Sequence, residues 1–239
     1  YIFPVFEDAF YYLWRERRLP ANVDPFDSRI DDPLERARLR KVFGQGLEKV
    51  VGYVLPVARA AGTRRWQSGP WFLRDERCYL LPGDSPLGYR LPLDSQPWVK
   101  ATEYPWVHAP DPTQSFPPLP PYRHIRRQPS PMQDAMASAA VERKGGSTTA
   151  GRQTATDTAA IPQAFQSAGW ITRTALCAEV RHGCLYLFMP PFSALEDYLE
   201  LVAAIEATAE EMQLPIVLEG YEPPRDPRLV HLRVTPDPG

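Results

Sequence analysis

The chain has 239 residues and a mass of 27.1 kDa, room for one large domain or two small ones. Lys and Arg number 27 against 29 Asp and Glu, a formal charge of -2, which argues against a nucleic-acid binder with its basic excess. Pro stands out at 28 residues, more than double its usual share of about 5%, yet a 44% hydrophobic content excludes disorder over the full length.

No apolar run approaches the roughly 20 residues that span a bilayer, so no membrane partner is expected. Tyr1-Ile2-Phe3-Pro4 lacks the basic region and cleavage pattern of a secretory signal. The missing initiator Met suggests a chain that begins inside a longer polypeptide. Cys78, Cys177 and Cys184 form no CxxC and leave an odd count, so reduced thiols and a cytoplasmic location are expected. His108, His124, His182 and His231 are scattered, without the spacing of a metal motif.

In chain order, an amphipathic helix is predicted from Glu7 to Arg18, stopping at Pro20. Asp32-Pro33-Leu34-Glu35 reads as a second helix start, with Asp32 as N-cap, Pro33 at the first position and Glu35 reaching back. Leu39, Val42, Phe43 and Leu47 follow at helical spacing. Val50 to Leu55 reads as a buried strand, and Trp71–Leu73 with Cys78–Leu81 as a hairpin. Gly83 to Gly88 lacks the GK[ST] ending of a phosphate loop and reads as a turn whose Asp84 could contact a ligand.

Composition then changes. Eight prolines fall between Ala109 and Pro131, and residues 132–164 offer almost no large apolar side chain, so 109–165 is expected to be an extended, mostly disordered insertion. Phe116 to Pro121 could alternatively be a polyproline ligand. The organisation expected is an N-terminal α+β segment over 1–108, a linker over 109–168 and a ββαββ segment over 169–239.

In that last segment, Ile171–Val180 and Cys184–Met189 are predicted strands joined by a turn at His182-Gly183. Ser193 to Glu196 reads as a capping box opening a helix to about Gln213. Pro215–Glu219 and Leu229–Thr235 complete the set. The fold class predicted is α+β, an antiparallel sheet backed by helices and interrupted by the Pro-rich insertion.

Strand alternation sorts the side chains by face. Thr174, Leu176, Ala178 and Val180 are predicted to face the helix. The opposite face would gather Arg173, Glu179, Glu219, His231 and Arg233 around Ala175 and Cys177. Carboxylates there could hold Mg²⁺, and Arg could hold phosphate or carboxylate. The alternative is the solvated face of a one-sided sheet. Cys177 with His231 as nucleophile and base is a weaker reading than a buried structural Cys.

Several long blocks resemble a bacterial amidoligase family related to glutamine synthetase and glutamate–cysteine ligase. They are Trp14 to Pro25, Asp31 to Arg38, Arg65 to Trp71, Gly83 to Leu93, Arg173 to Cys177, and Glu219 to Tyr221 with Asp226 to Gly239. The resemblance implies an ATP- and Mg²⁺-dependent carboxylate–amine ligase working through an acyl phosphate. It also implies a neighbouring transglutaminase-like domain within a larger protein, and continuation beyond Gly239, so that this chain is partial and inactive alone. Small-molecule or peptide carboxylates and amines would be the substrates. On the face described above, Arg173, Glu179 and Glu219 are then the expected catalytic residues. Glu179 and Glu219 are the expected metal ligands, and His231 and Arg233 the expected nucleotide contacts. The competing reading is a non-catalytic binding or scaffolding module, or a truncated gene product.

Overall fold

A computed structural model describes residues 1–18, 32–60, 65–73, 76–104, 111, 115–126, 161–163, 165–232 and 234–235. The elements in chain order are β1 (Phe3–Glu7), α1 (Ala9–Glu16), α2 (Pro33–Gln45), β2 (Val50–Pro56), β3 (Ala58–Arg59), β4 (Trp66–Gln67) and β5 (Cys78–Leu80). After these come α3 (Tyr122–Arg126), β6 (Ala175–Arg181), β7 (Cys184–Met189), α4 (Leu195–Met212) and β8 (Ile216–Gly220). The chain divides into two units. The first lies within Tyr1–Tyr104, Ala150–Pro190 and Pro215–Tyr221, the second within Pro105–Thr149, Pro191–Leu214 and Glu222–Gly239.

The first unit is built on a six-stranded sheet of order β5-β1-β2-β6-β7-β8. Its three inner pairings are antiparallel, whereas β5 joins β1 and β8 joins β7 in parallel. The sheet is therefore mixed and mostly antiparallel. β1, which the sequence reading passed over, supplies two of the five pairings. The hairpin expected from Trp71–Leu73 and Cys78–Leu81 is not found among the described residues: Cys78–Leu80 is a strand, and it pairs with β1.

Local chemistry sets the helix starts. Asp8 caps α1, its Oδ1 accepting from the Phe10 N–H at 3.0 Å. Asp32 caps α2 by accepting from the Leu34 N–H at 2.9 Å, with Pro33 in the first position, as the sequence predicted. The two helices share a small core of Tyr12, Leu39 and Val42. Between β6 and β7 the turn pair His182 (φ 52°) and Gly183 (φ 80°) adopts the positive φ values that a tight hairpin demands.

The buried face of β6 is the reverse of the one expected. Cys177 is 1% exposed and joins Val5, Val54, Cys78 and Phe188 in the main core, while Val180 on the other face is 69% exposed. The core is completed by the 3-10 turn Leu87–Arg90, which lies across this face. A Cβ on Gly88 would stand 2.2 Å from the Phe188 ring, and one on Gly52 would stand 2.6 Å from the Ala178 carbonyl and from Leu87, so both positions require glycine.

In the second unit α4 begins at Leu195 with Ala194 as its N-cap and no side-chain cap, so the capping box expected from Ser193 is not made. The helix ends with Gln213 in the left-handed conformation (φ 53°). Arg228 ties this unit together. It forks onto Asp226, reaches Glu196 at 2.7 Å and the Pro117 carbonyl at 2.7 Å, and lies over the Phe116 ring. The strand expected over Leu229–Thr235 is absent among the described residues, and Val230, Leu232 and Val234 are exposed. Part of the expected extended insertion, Tyr122–Arg126, is helical; most of the remainder lies outside the described residues.

Candidate active site

A cleft of about 740 Å³ opens in the first unit where α2 and the Gly83–Pro86 loop meet the ends of β1, β2 and β6. Arg38, Lys41, Lys49, Arg90 and Arg181 line it together with the carboxylates Glu7, Asp84 and Glu179. With Glu35 and Glu219, which pair with Arg38 and Arg181 from outside the lining, the five cations meet five carboxylates, so the cleft gathers dense charge of both signs.

The charged groups are held in defined pairs. Arg38 forks onto Asp84, with Nε to Oδ1 at 3.0 Å and Nη2 to Oδ2 at 2.9 Å. Its remaining nitrogen reaches Glu35 at 2.7 Å. The hydrogen bonds and charge of Arg38 hold the Asp84 carboxyl below its ordinary range. Glu35 is buried and also accepts from Arg15 at 3.0 Å and from the Tyr11 hydroxyl at 3.1 Å. It therefore joins the two helices rather than closing the capping box foreseen for it. Glu7, 7% exposed, takes Arg90 at 2.5 Å and the Tyr12 hydroxyl at 3.3 Å. Burial, and then Glu7, push the Tyr12 hydroxyl well above its ordinary value, so it stays a proton donor.

At the β6 side of the cleft, Arg181 joins Glu179 and Glu219. Its Nε lies 2.5 Å from Glu179, off the line of a hydrogen bond, and Nη2 donates to Glu219. The guanidinium also covers the Tyr186 ring at 3.8 Å. Two of the residues expected from the sequence, Glu179 and Glu219, are thus brought together, by an arginine that falls just past the end of the predicted Ile171–Val180 strand. The available signal was period two: Arg181 follows Glu179 on the same face of one strand. Arg38, Lys41, Arg90 and Glu7 escaped because no pattern within one segment reveals a cleft built from several.

The other expected residues lie elsewhere. Arg173 precedes β6, roughly 20 Å of extended chain from Glu179, and donates to the Pro97 carbonyl. His231 belongs to the second unit, exposed and in no strand. Arg233 lies outside the described residues. Cys177 is buried, and burial drives its thiol far above the ordinary range, the opposite of what a nucleophile needs.

Glu179 and Glu219 do not fit a divalent cation as they stand, because the Arg181 guanidinium already occupies an oxygen of each. Among the described residues no group of three or more His, Cys, Asp or Glu side chains gathers to hold a metal. No described helix is long and apolar enough to cross a membrane.

A mixed, mostly antiparallel six-stranded sheet with helices, and a charged cleft at its strand ends, define a mixed α/β protein. Over residues 1–239 the chain matches the family described as "Putative amidoligase enzyme (DUF2126)", and it belongs to that family. No curated protein and no solved structure matches it.

Proposed function

We propose that the chain is part of an ATP-dependent carboxylate–amine ligase and that the cleft takes the phosphorylated species. Membership of the amidoligase family supports the reaction class, and the observation that carries the site is the gathering of Arg38, Lys41, Lys49, Arg90 and Arg181 in one cleft beside Glu179. In this reading a substrate carboxylate oxygen attacks the γ-phosphorus of ATP, giving an acyl phosphate and ADP. An amine nitrogen then attacks the acyl carbon, phosphate leaves, and the nitrogen gives up a proton. Arg38, Lys41, Arg90 and Arg181 offset the negative charge that develops on the transferring phosphoryl group. Glu179 is suitably placed on the cleft wall to take the amine proton. No step is assigned to Mg²⁺ at Glu179 and Glu219.

A transglutaminase-like domain remains the proposed neighbour, and small-molecule or peptide carboxylates and amines the proposed substrates. The test is isotopic. With a carboxylate substrate carrying ¹⁸O, an acyl phosphate route transfers one ¹⁸O to the released inorganic phosphate. Phosphate free of label during turnover would overturn the mechanism.

A second reading, a peptide- or domain-binding module, is favoured by one observation. Arg228 holds Phe116 and Pro117 while Pro117, Pro118, Pro120 and Pro121 stay exposed, which presents a proline-rich ridge.

A further inference from the structure

Arg173 forms no ion pair with a carboxylate among the described residues. One terminal nitrogen donates to the Pro97 carbonyl, while Nε is closed off from solvent without a hydrogen-bond partner. Burial lowers the pKa of this guanidinium, and Tyr104 and Asp94 offset the shift without forming an ion pair. The residue before Pro97 shows the same deficit. Gln96 is 6% exposed; its Oε1 accepts from the Phe72 N–H at 3.2 Å, and its Nε2 is buried without a partner.

These two donors fall at one junction. Trp71 Nε1 donates to the Thr172 carbonyl at 2.7 Å, Phe72 to Gln96, and Arg173 to Pro97, so three chain segments are tied to one another in pairs. Phe72 and Trp170 meet edge to face there, with centroids 5.8 Å apart. Buried polar groups in native folds are nearly always partnered, and a buried charge without a counter-ion is rarer still. Two donors left unsatisfied among the described residues, one of them on a cation, favour an acceptor supplied by a ligand.

We propose that Arg173 and Gln96 form a binding site for the carboxylate of a small-molecule ligand, whose oxygens accept from Arg173 Nε and Gln96 Nε2. A carboxylate offers two acceptor oxygens in one plane and a single negative charge, which matches one guanidinium edge and one amide. Phosphate shares the oxyanion chemistry but brings more charge than one half-buried arginine balances. Neither residue lines the cleft, so the site stands whether or not the cleft ligates.

The test titrates acetate, benzoate and, separately, inorganic phosphate into the full-length protein, reading affinity by titration calorimetry in every variant and following the Arg173 Nε–H resonance in the wild type. A saturable shift with both carboxylates is expected. Their affinity should fall at least about tenfold in Arg173→Lys, which keeps the charge and loses the Nε donor, and in Gln96→Leu. An Arg173 resonance unmoved by either carboxylate would overturn the proposal. So would equal affinity in both variants, or tighter binding of phosphate.

Discussion

Gly88 lies flat against the Phe188 ring, so close that any side chain at this position would enter it. The contact fixes the Leu87–Arg90 turn over the sheet, and that turn delivers Arg90 to Glu7 in the cleft. Gly88→Ala is therefore predicted to destabilise the fold by about 1–3 kcal/mol, the usual range for overpacking. A lowered urea midpoint at unchanged slope is the expected result. An unchanged midpoint would mean that the turn does not rest on Phe188.

The Arg38–Asp84 fork gives a pH dependence. The folded-state pKa of Asp84 is depressed, chiefly by hydrogen bonds from Arg38. Its stabilisation is thus fully present above the unfolded value of about 3.9 and is lost as pH falls through the lower folded value. Asp84 is half exposed, so the effect is modest. Urea midpoints of Asp84→Asn should fall less between pH 5 and pH 3 (values chosen around the Asp range, about 3.9) than those of the wild type. Parallel curves would contradict the fork.

Thiol reactivity should separate the three cysteines. Burial pushes the Cys78 thiol up to about 12 and the Cys177 thiol higher, whereas Cys184 is exposed. At neutral pH iodoacetamide is expected to alkylate Cys184 alone in the folded protein and all three after denaturation, as read by peptide mass spectrometry. Rapid native labelling of Cys177 would contradict its place in the core.

In the second unit, Arg228→Met removes the fork to Asp226, the contact to Glu196 and the bond to Pro117. Native-state proteolysis between Ser115 and Arg123 is predicted to quicken on the order of tenfold, because the segment loses its tether at Phe116 and Pro117 and keeps the Tyr122–Glu206 bond. An unchanged cleavage rate would show that other contacts hold it.

Much of the architecture was legible where its cause is local. Asp32-Pro33 declares a helix start because a cap and its N–H partner lie two residues apart, and His182-Gly183 declares a hairpin for the same reason. What escaped depends on distant partners. β1 contains Pro4 and gains its strand character only by pairing with β2 and β5. The face of β6 was assigned the wrong way round because both faces carry apolar residues; what decides burial is the covering turn at Leu87–Arg90, contributed from far off in sequence. Glu35 has the position of a capping-box residue, but Arg15, Tyr11 and Arg38 offer it better partners. That Glu179 and Glu219 come together was readable from alternation; Arg181 shares the face of Glu179 by the same period but fell just past the end of the predicted strand.

The most direct test of the ligase account measures ADP release by the full-length protein, supplied with ATP and a panel of amino-acid carboxylates and amines, in the wild type and in Glu179→Gln and Glu219→Gln. The account predicts ADP release that requires both the carboxylate and the amine. It predicts a fall of roughly 10²-fold in Glu179→Gln, in keeping with the loss of a general base, and a smaller fall in Glu219→Gln, which acts through Arg181. ADP release at wild-type rates in both variants, or none from the wild type with any pair of substrates, would contradict it.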